Sequence, residues 1–143
     1  MIKNTVINAE LGYALATARH KDAIVICDAN MPIPDGCNVI DVSLIRGVPT
    51  LEQTICAIMN DLVAERYEVF ELMPQYNDAM YQKIQPQLPG GTISQDRLTE
   101  TMQKAKVVVR TGDFGSCCTM VLYSASGMDK YVKQYDCSFS LEK

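Results

Sequence analysis

The chain contains a single histidine, His20. By type it is the side chain best suited to take up and release a proton near neutral pH, because an unperturbed imidazole titrates at roughly 6.5. Asp28 follows the apolar run Ala23 to Cys27 and opens the polar stretch Asp28-Ala29-Asn30-Met31-Pro32-Ile33-Pro34-Asp35-Gly36. Arg110 follows a second apolar run, Val107 to Val109, and opens a loop to Thr119 that holds Thr111-Gly112-Asp113 and the vicinal pair Cys117-Cys118. A proton carrier and groups that fix a polar ligand suffice for general acid–base chemistry. Each residue also has a plainer reading. His20 can be a solvated residue at a helix C-terminus, where the dipole favours partial positive charge. Asp28 can close a turn on its own backbone. Arg110 can be a solvent-seeking strand end, and the two cysteines can be small packing residues. Gly112 and Gly115 do not make a phosphate loop, because the lysine and the spacing are missing.

These residues need a frame, and turn signals divide the chain into short apolar runs and longer amphipathic ones, an α/β rhythm. Asn8 is placed to cap a helix through Leu11, Ala14, Leu15 and Ala18 that ends near Arg19-His20. Ala23 to Cys27 is too short for a helix, rich in β-branched residues, and reads as a central strand covered on both faces. Val39 to Asp41 is a short second strand. Thr50 and Gln53 form a capping box for a helix through Leu51, Ile55, Ile58, Met59 and Leu62. Tyr67 to Leu72 reads as a strand, and Asn77 to Gln87 as a helix stopped by Pro89-Gly90-Gly91. Ser94 caps another helix through Leu98 and Met102. Val107 to Val109 and Met120 to Leu122 are buried strands. Tyr135, Cys137, Phe139 and Leu141 alternate with polar residues, a pattern for one more strand. In sheets flanked by helices, ligands collect beyond the carboxyl ends of the strands, where the loops after Cys27 and Val109 meet.

Composition bounds the function. The 143 residues, 48% hydrophobic and 21% charged, suit one domain with a real core and exclude disorder. A net charge of −4 argues against a footprint for nucleic acid or anionic membrane and favours a small neutral ligand. The apolar runs fall far short of the roughly 20 residues of a membrane span. The N-terminus lacks the apolar stretch of a secretory signal, so a cytoplasmic location is expected. Six cysteines without a Cys-x-x-Cys spacing, beside one histidine, do not support a structural zinc site, and in a reducing compartment they are expected as thiols.

Four blocks occurring in order, His20-Lys21-Asp22, Asp28 to Pro34, Ile40-Asp41-Val42-Ser43-Leu44 with Gly47-Val48-Pro49, and Val109-Arg110-Thr111-Gly112-Asp113, resemble the D-ribose pyranase and L-fucose mutarotase superfamily over about residues 3 to 125. The resemblance implies a single domain over residues 1–143, a three-layer α/β/α sandwich with a mixed sheet, in which 127–143 extend past the usual end. It implies a homo-oligomeric ring, commonly a decamer, with sites at subunit contacts. The implied activity interconverts cyclic forms of a free monosaccharide, pyranose and furanose or two anomers, with no metal or organic cofactor. Matched onto this chain, His20 takes the place of the general acid and Asp28 that of a hydroxyl-binding carboxylate, with Arg110, in the shared turn, at a substrate-binding position. A usual second histidine is Gln95 here, and a usual Tyr-x-Asn is Cys117 and Thr119, so these three stand at substrate-binding positions. Pro32-Ile33-Pro34 and Gly47-Val48-Pro49 favour the ribose type over an L-fucose mutarotase. The losses at 117 and 119 leave a sugar-binding accessory of a transport or regulatory system as the reading of another class.

Overall fold

The computed structural model describes residues 5–126. Asn8 accepts a hydrogen bond from the Leu11 N–H and starts α1 (Ala9–Ala16), which turns Leu11, Ala14 and Leu15 inward. It ends three residues before Arg19, so His20 lies beyond the helix rather than in its last turn. β1 (Ala23–Cys27) and β2 (Val39–Asp41) fall on the expected residues. Thr50 and Gln53 form the reciprocal capping box of α2 (Leu51–Asp61). β3 (Ala64–Phe70) begins three residues before the expected Tyr67. The segment expected as one helix holds α4 (Asp78–Ile84), capped by Asn77 and preceded by the short α3 (Met73–Tyr76). β4 (Gly90–Ile93) occupies what reads as a helix-breaking Pro-Gly-Gly stop. α5 (Gln95–Lys104) is capped by Ser94; β5 (Val107–Arg110) takes in Arg110 as its last residue, and β6 (Met120–Ser124) follows. The alternating segment from Tyr135 to Leu141 lies outside the described residues.

Among the described residues, six strands form one mixed sheet in the order β2-β5-β1-β6-β3-β4. β1 pairs parallel with β5, β5 with β2, and β3 with β4, whereas β6 runs antiparallel to both β1 and β3. Five strands therefore point their carboxyl ends the same way, and β6 begins at that same end. Because strand side chains alternate, Ile24, Ile26, Val107, Val109, Met120 and Leu122 face the core under α1, α2 and α4. Val25, Cys27, Val108, Val121 and Tyr123 face the other way, where α5 lays Leu98 and Met102 on them. This is the three-layer α/β/α arrangement. Gly90 gives the Tyr67 ring room in β4, since a Cβ there would collide with three of the ring's carbons, within 2.6 Å of each.

Cys27, Cys37, Cys117 and Cys118 are free thiols. Cys56 is disulfide-bonded, against the all-thiol expectation. That expectation rested on a core large enough to need no staple, an argument that does not forbid one.

The second face depends on α5, so Leu98→Ala, at a fully buried position, should cost about 2–5 kcal/mol. Urea unfolding would read the loss.

Candidate functional site

The Arg110-Thr111-Gly112-Asp113 segment leaves β5 beside the end of β1, and each of its residues has a structural task. Arg110 Nε donates to the Ala29 carbonyl at 3.1 Å, and its Nη1 to Asp41 Oδ2 at 2.7 Å and Ser43 Oγ at 3.0 Å. It thereby braces the loop after β1 against the end of β2. Thr111 donates both its N–H, at 3.0 Å, and its hydroxyl, at 2.8 Å, to the Cys27 carbonyl. Gly112 lies so close to the 45–48 loop that a Cβ would sit 2.7 Å from the Ile45 carbonyl oxygen and closer still to that of Val48. Asp113 accepts from the Leu51 N–H at 2.7 Å and the Gly115 N–H at 2.6 Å, and its carbonyl accepts from the Ala29 N–H at 2.8 Å.

Within that brace Asp28 is buried at the carboxyl end of β1. Oδ1 accepts from the Asn30 N–H at 2.9 Å, the turn-closing bond of the plainer reading. Oδ2 accepts from the buried Thr119 hydroxyl at 3.3 Å. The turn-closing bond thus takes one oxygen of the carboxylate and the Thr119 hydroxyl the other. Burial raises its pKa above the ordinary carboxylate value, against the Asn30 and Thr119 hydrogen bonds that lower it. Asp41 moves the other way: desolvation would raise it, but the Ser43 and Arg110 hydrogen bonds win and lower it. Cys117, at φ 53°, is partly exposed, with its thiol pushed up by desolvation and then by the Asp28 charge. Burial pushes Cys27 and Cys118 up to about 12, so both are neutral thiols at neutral pH.

The other expected residues lie further off. Gln95 opens α5 after β4, at the same end of the sheet but three strand positions from β1, roughly 14 Å at about 4.8 Å per strand. It is exposed, and its Nε2 donates to Thr99 Oγ1 at 3.5 Å. His20 sits at the opposite end of β1 from Asp28, separated by a five-residue strand, roughly 16 Å at about 3.3 Å per residue. There it meets Glu65, with Nε2 3.2 Å from Oε2. One protomer thus brings together Asp28, Thr119 and the 110–113 brace, and not His20 or Gln95. Sequence reasoning missed Glu65, 45 positions away from His20, and left Ser43 and Asp113 without a role. The signal for Ser43 was the Asp-x-Ser spacing, since Asp41 Oδ1 accepts from the Ser43 N–H at 2.9 Å. Among the described residues no three His, Cys, Asp or Glu side chains gather to hold a metal, and no helix is long and apolar enough to cross a membrane. A cavity of about 630 Å³ between α1 and β2, lined by Ala9, Tyr13, Val39 and Lys106, lies apart from Asp28 and from His20.

Residues 1–126 match the model of the RbsD / FucU transport protein family. The chain belongs to that family. A D-ribose pyranase from Actinobacillus succinogenes is 30% identical over 135 residues, covering 87% of this chain and 97% of the relative. One from Photobacterium profundum is 37% identical over 124 residues, covering 79% and 89%. Among solved structures of the family, Bacillus subtilis RbsD complexed with D-ribose superposes with a TM-score of 0.80 at 27% identity, covering 87% of this chain and 98% of the other. The fucose mutarotase of Streptococcus pneumoniae in complex with L-fucose shares the fold, with a TM-score of 0.67 at 16% identity over 87% and 98% of the two chains.

Two outcomes follow from this geometry. Gly112→Ala drives a methyl group into backbone carbonyls, which cannot swing aside as a side chain can, and should cost about 1–3 kcal/mol or more in chemical denaturation. For Asp28, a folded-state pKa above the unfolded one means that the fold binds this proton more tightly. Its contribution to stability therefore falls as pH rises from the ordinary carboxylate range through the raised value. Asp28→Asn should raise the thermal midpoint at neutral pH, with the gain vanishing below the ordinary carboxylate range; a pH series of melting curves checks the sign.

Proposed function

We propose that the protein is a sugar pyranase/mutarotase that interconverts the pyranose and furanose forms of free D-ribose, or of a closely related monosaccharide, by opening and closing the ring. The observation that carries this reading is the match to the D-ribose-bound structure, 27% identical over 87% of this chain. The buried carboxylate at the sheet's carboxyl end agrees with it. Ring opening moves the proton of the anomeric hydroxyl to the ring oxygen as the bond from that oxygen to the anomeric carbon breaks, leaving an open-chain aldehyde. Closure from another hydroxyl, or on the other face, reverses both transfers. No redox or group-transfer step occurs, so the reaction asks for no cofactor. His20 carries the proton. Asp28 and Thr119 hold sugar hydroxyls, with Cys117 beside them and Arg110 keeping the Asp28 loop in place.

A monosaccharide cannot span the length of β1, so His20 and Asp28 of one protomer cannot serve the same molecule. In this reading the site is completed by a second copy, His20 of one facing Asp28 of the next, as subunit contacts in a homo-oligomeric ring such as a decamer allow. Gln95, exposed at the end of the sheet that carries Asp28, is a hydroxyl contact at the same junction. The protein acts in the cytoplasm on an incoming free sugar. L-fucose anomers are the alternative substrate. Cys117 and Thr119, where the resemblance expects Tyr and Asn, favour one second reading: a sugar-binding accessory without turnover.

Saturation-transfer NMR on D-ribose and L-fucose tests this reading. Catalysed exchange is expected on D-ribose, falling on the order of 10² to 10⁴ in His20→Ala, the usual worth of a general acid–base group. Exchange at the uncatalysed rate for both sugars, beside calorimetric D-ribose binding that ignores His20→Gln, would establish the accessory instead.

A further inference from the structure

His20 is held by two irregularities of the backbone that meet at one residue. Arg19-His20-Lys21-Asp22 is a tight turn: the Asp22 N–H donates to the Arg19 carbonyl at 3.0 Å, and Asp22 Oδ2 accepts from the Arg19 N–H at 2.8 Å. Lys21 takes φ 72°, a conformation that is uncommon outside glycine and that persists where surrounding bonds enforce it. Those bonds come from β6, where Ser124 accepts from the Lys21 N–H and donates to the Asp22 carbonyl, both at 2.9 Å. Across β6, Ser124 pairs with Ala64 and Tyr123 with Arg66. Glu65 is thus the extra residue of a β-bulge, a device that re-aims a side chain out of the strand's regular alternation. The turn and the bulge, both keyed to Ser124, bring Glu65 Oε2 to 3.2 Å from His20 Nε2. Glu65 is mostly covered, at 17% side-chain exposure, while the imidazole is open at 45%.

A carboxylate accepts and does not donate, so this contact requires the proton on Nε2 and leaves the Nδ1 lone pair to work. The geometry assigns Glu65 as the positioning residue of His20, fixing its tautomer and presenting Nδ1 to the sugar; this rests on the reading of His20 as proton carrier. The anomeric hydroxyl gives its proton to Nδ1. The imidazolium so formed, balanced by the Glu65 carboxylate, returns that proton to the ring oxygen as the ring bond breaks. The imidazole ends neutral and Glu65 is unchanged. Both sugar oxygens are bonded to one carbon, so a single nitrogen reaches each in turn.

The chain's single imidazole makes the test specific, because its nitrogen NMR spectrum reports one residue. In the wild-type protein Nε2 is expected to carry the proton of the neutral ring. In Glu65→Ala the ring should drift towards a mixture of tautomers and exchange of D-ribose should fall about tenfold to a hundredfold, part of what a positioned acid–base group contributes. Calorimetric affinity for D-ribose should stay unchanged. Glu65→Gln, whose amide oxygen still accepts from Nε2–H, should keep the tautomer and recover part of the rate. It carries the test if the alanine variant does not fold. Full exchange activity in the Glu65 variants beside an inactive His20→Ala overturns the positioning role and spares the parent reading. Full activity in His20→Ala overturns both.

Discussion

Asp113 joins the start of α2, its own loop after β5 and the loop after β1. Its two carboxylate oxygens take the first N–H of α2 and the Gly115 N–H, and its carbonyl takes the N–H of Ala29. The N–H groups of a helix's first turn have no intrahelical partner, and a carboxylate there answers both the orphan donor and the helix dipole. The same residue therefore seats α2 on one face of the sheet with its side chain and holds the loop after β1 with its carbonyl. Thr111 anchors one side by closing the Cys27 carbonyl, and Gly112 lets the 45–49 loop lie against the backbone, where Gly47 donates to the Gly112 carbonyl at 2.6 Å. Asp28 inherits its position from this assembly. Its burial, and hence the upward pull on its pKa, comes from the loops around it and outweighs the hydrogen bonds from Asn30 and Thr119.

The sheet sorts the chemistry into two ends. β6, antiparallel in the middle of otherwise parallel neighbours, begins directly after Thr119, which lies beside Asp28, and finishes at Ser124 beside the His20 turn. The residue leading into this strand thus supplies a hydroxyl to the carboxylate, and the strand's last residue anchors the backbone of the turn that carries the imidazole. Its central position also fixes the separation of the two: a buried strand cannot shorten without losing ladder bonds on both sides, so no local rearrangement within a protomer brings them together.

What could be read beforehand was whatever depends on neighbours in the sequence. The Thr50–Gln53 capping box, the Asn8 and Ser94 caps, and the runs at Ala23 and Val39 are local devices, and they appear where expected. β4 was invisible because Gly90-Gly91 reads as a break, whereas in the fold the glycine makes room for the Tyr67 ring; the requirement comes from the neighbouring strand. The first residues of β3 were missed for a related reason. Glu65 and Arg66 spoil the apolar pattern, and one of them is turned out by a bulge that depends on the pairing with β6. Arg110 was legible as a strand end. Its engagement with Asp41 and Ser43 was not, since those partners lie 69 and 67 positions away. The site divides along the same line: His20 and Asp28 stand out by type and context, but their placement at opposite ends of β1 follows from topology.

That placement bears on how the proposed assembly would work. Catalysis by positioned groups gains most when the groups are already ordered before the substrate arrives. Here each end is ordered within its own protomer, His20 by the turn and bulge at Ser124, and Asp28 by the Asp113 brace and Thr119. Joining two copies would then need no refolding of either end, only the apposition of two finished surfaces. Asp28 meets that arrangement with a raised pKa that burial within its own chain already causes, so a partner's arrival adds to an existing desolvation rather than creating it. In such a design the interface contributes proximity, while the tautomer of the imidazole and the orientation of the carboxylate are set by bonds inside each chain.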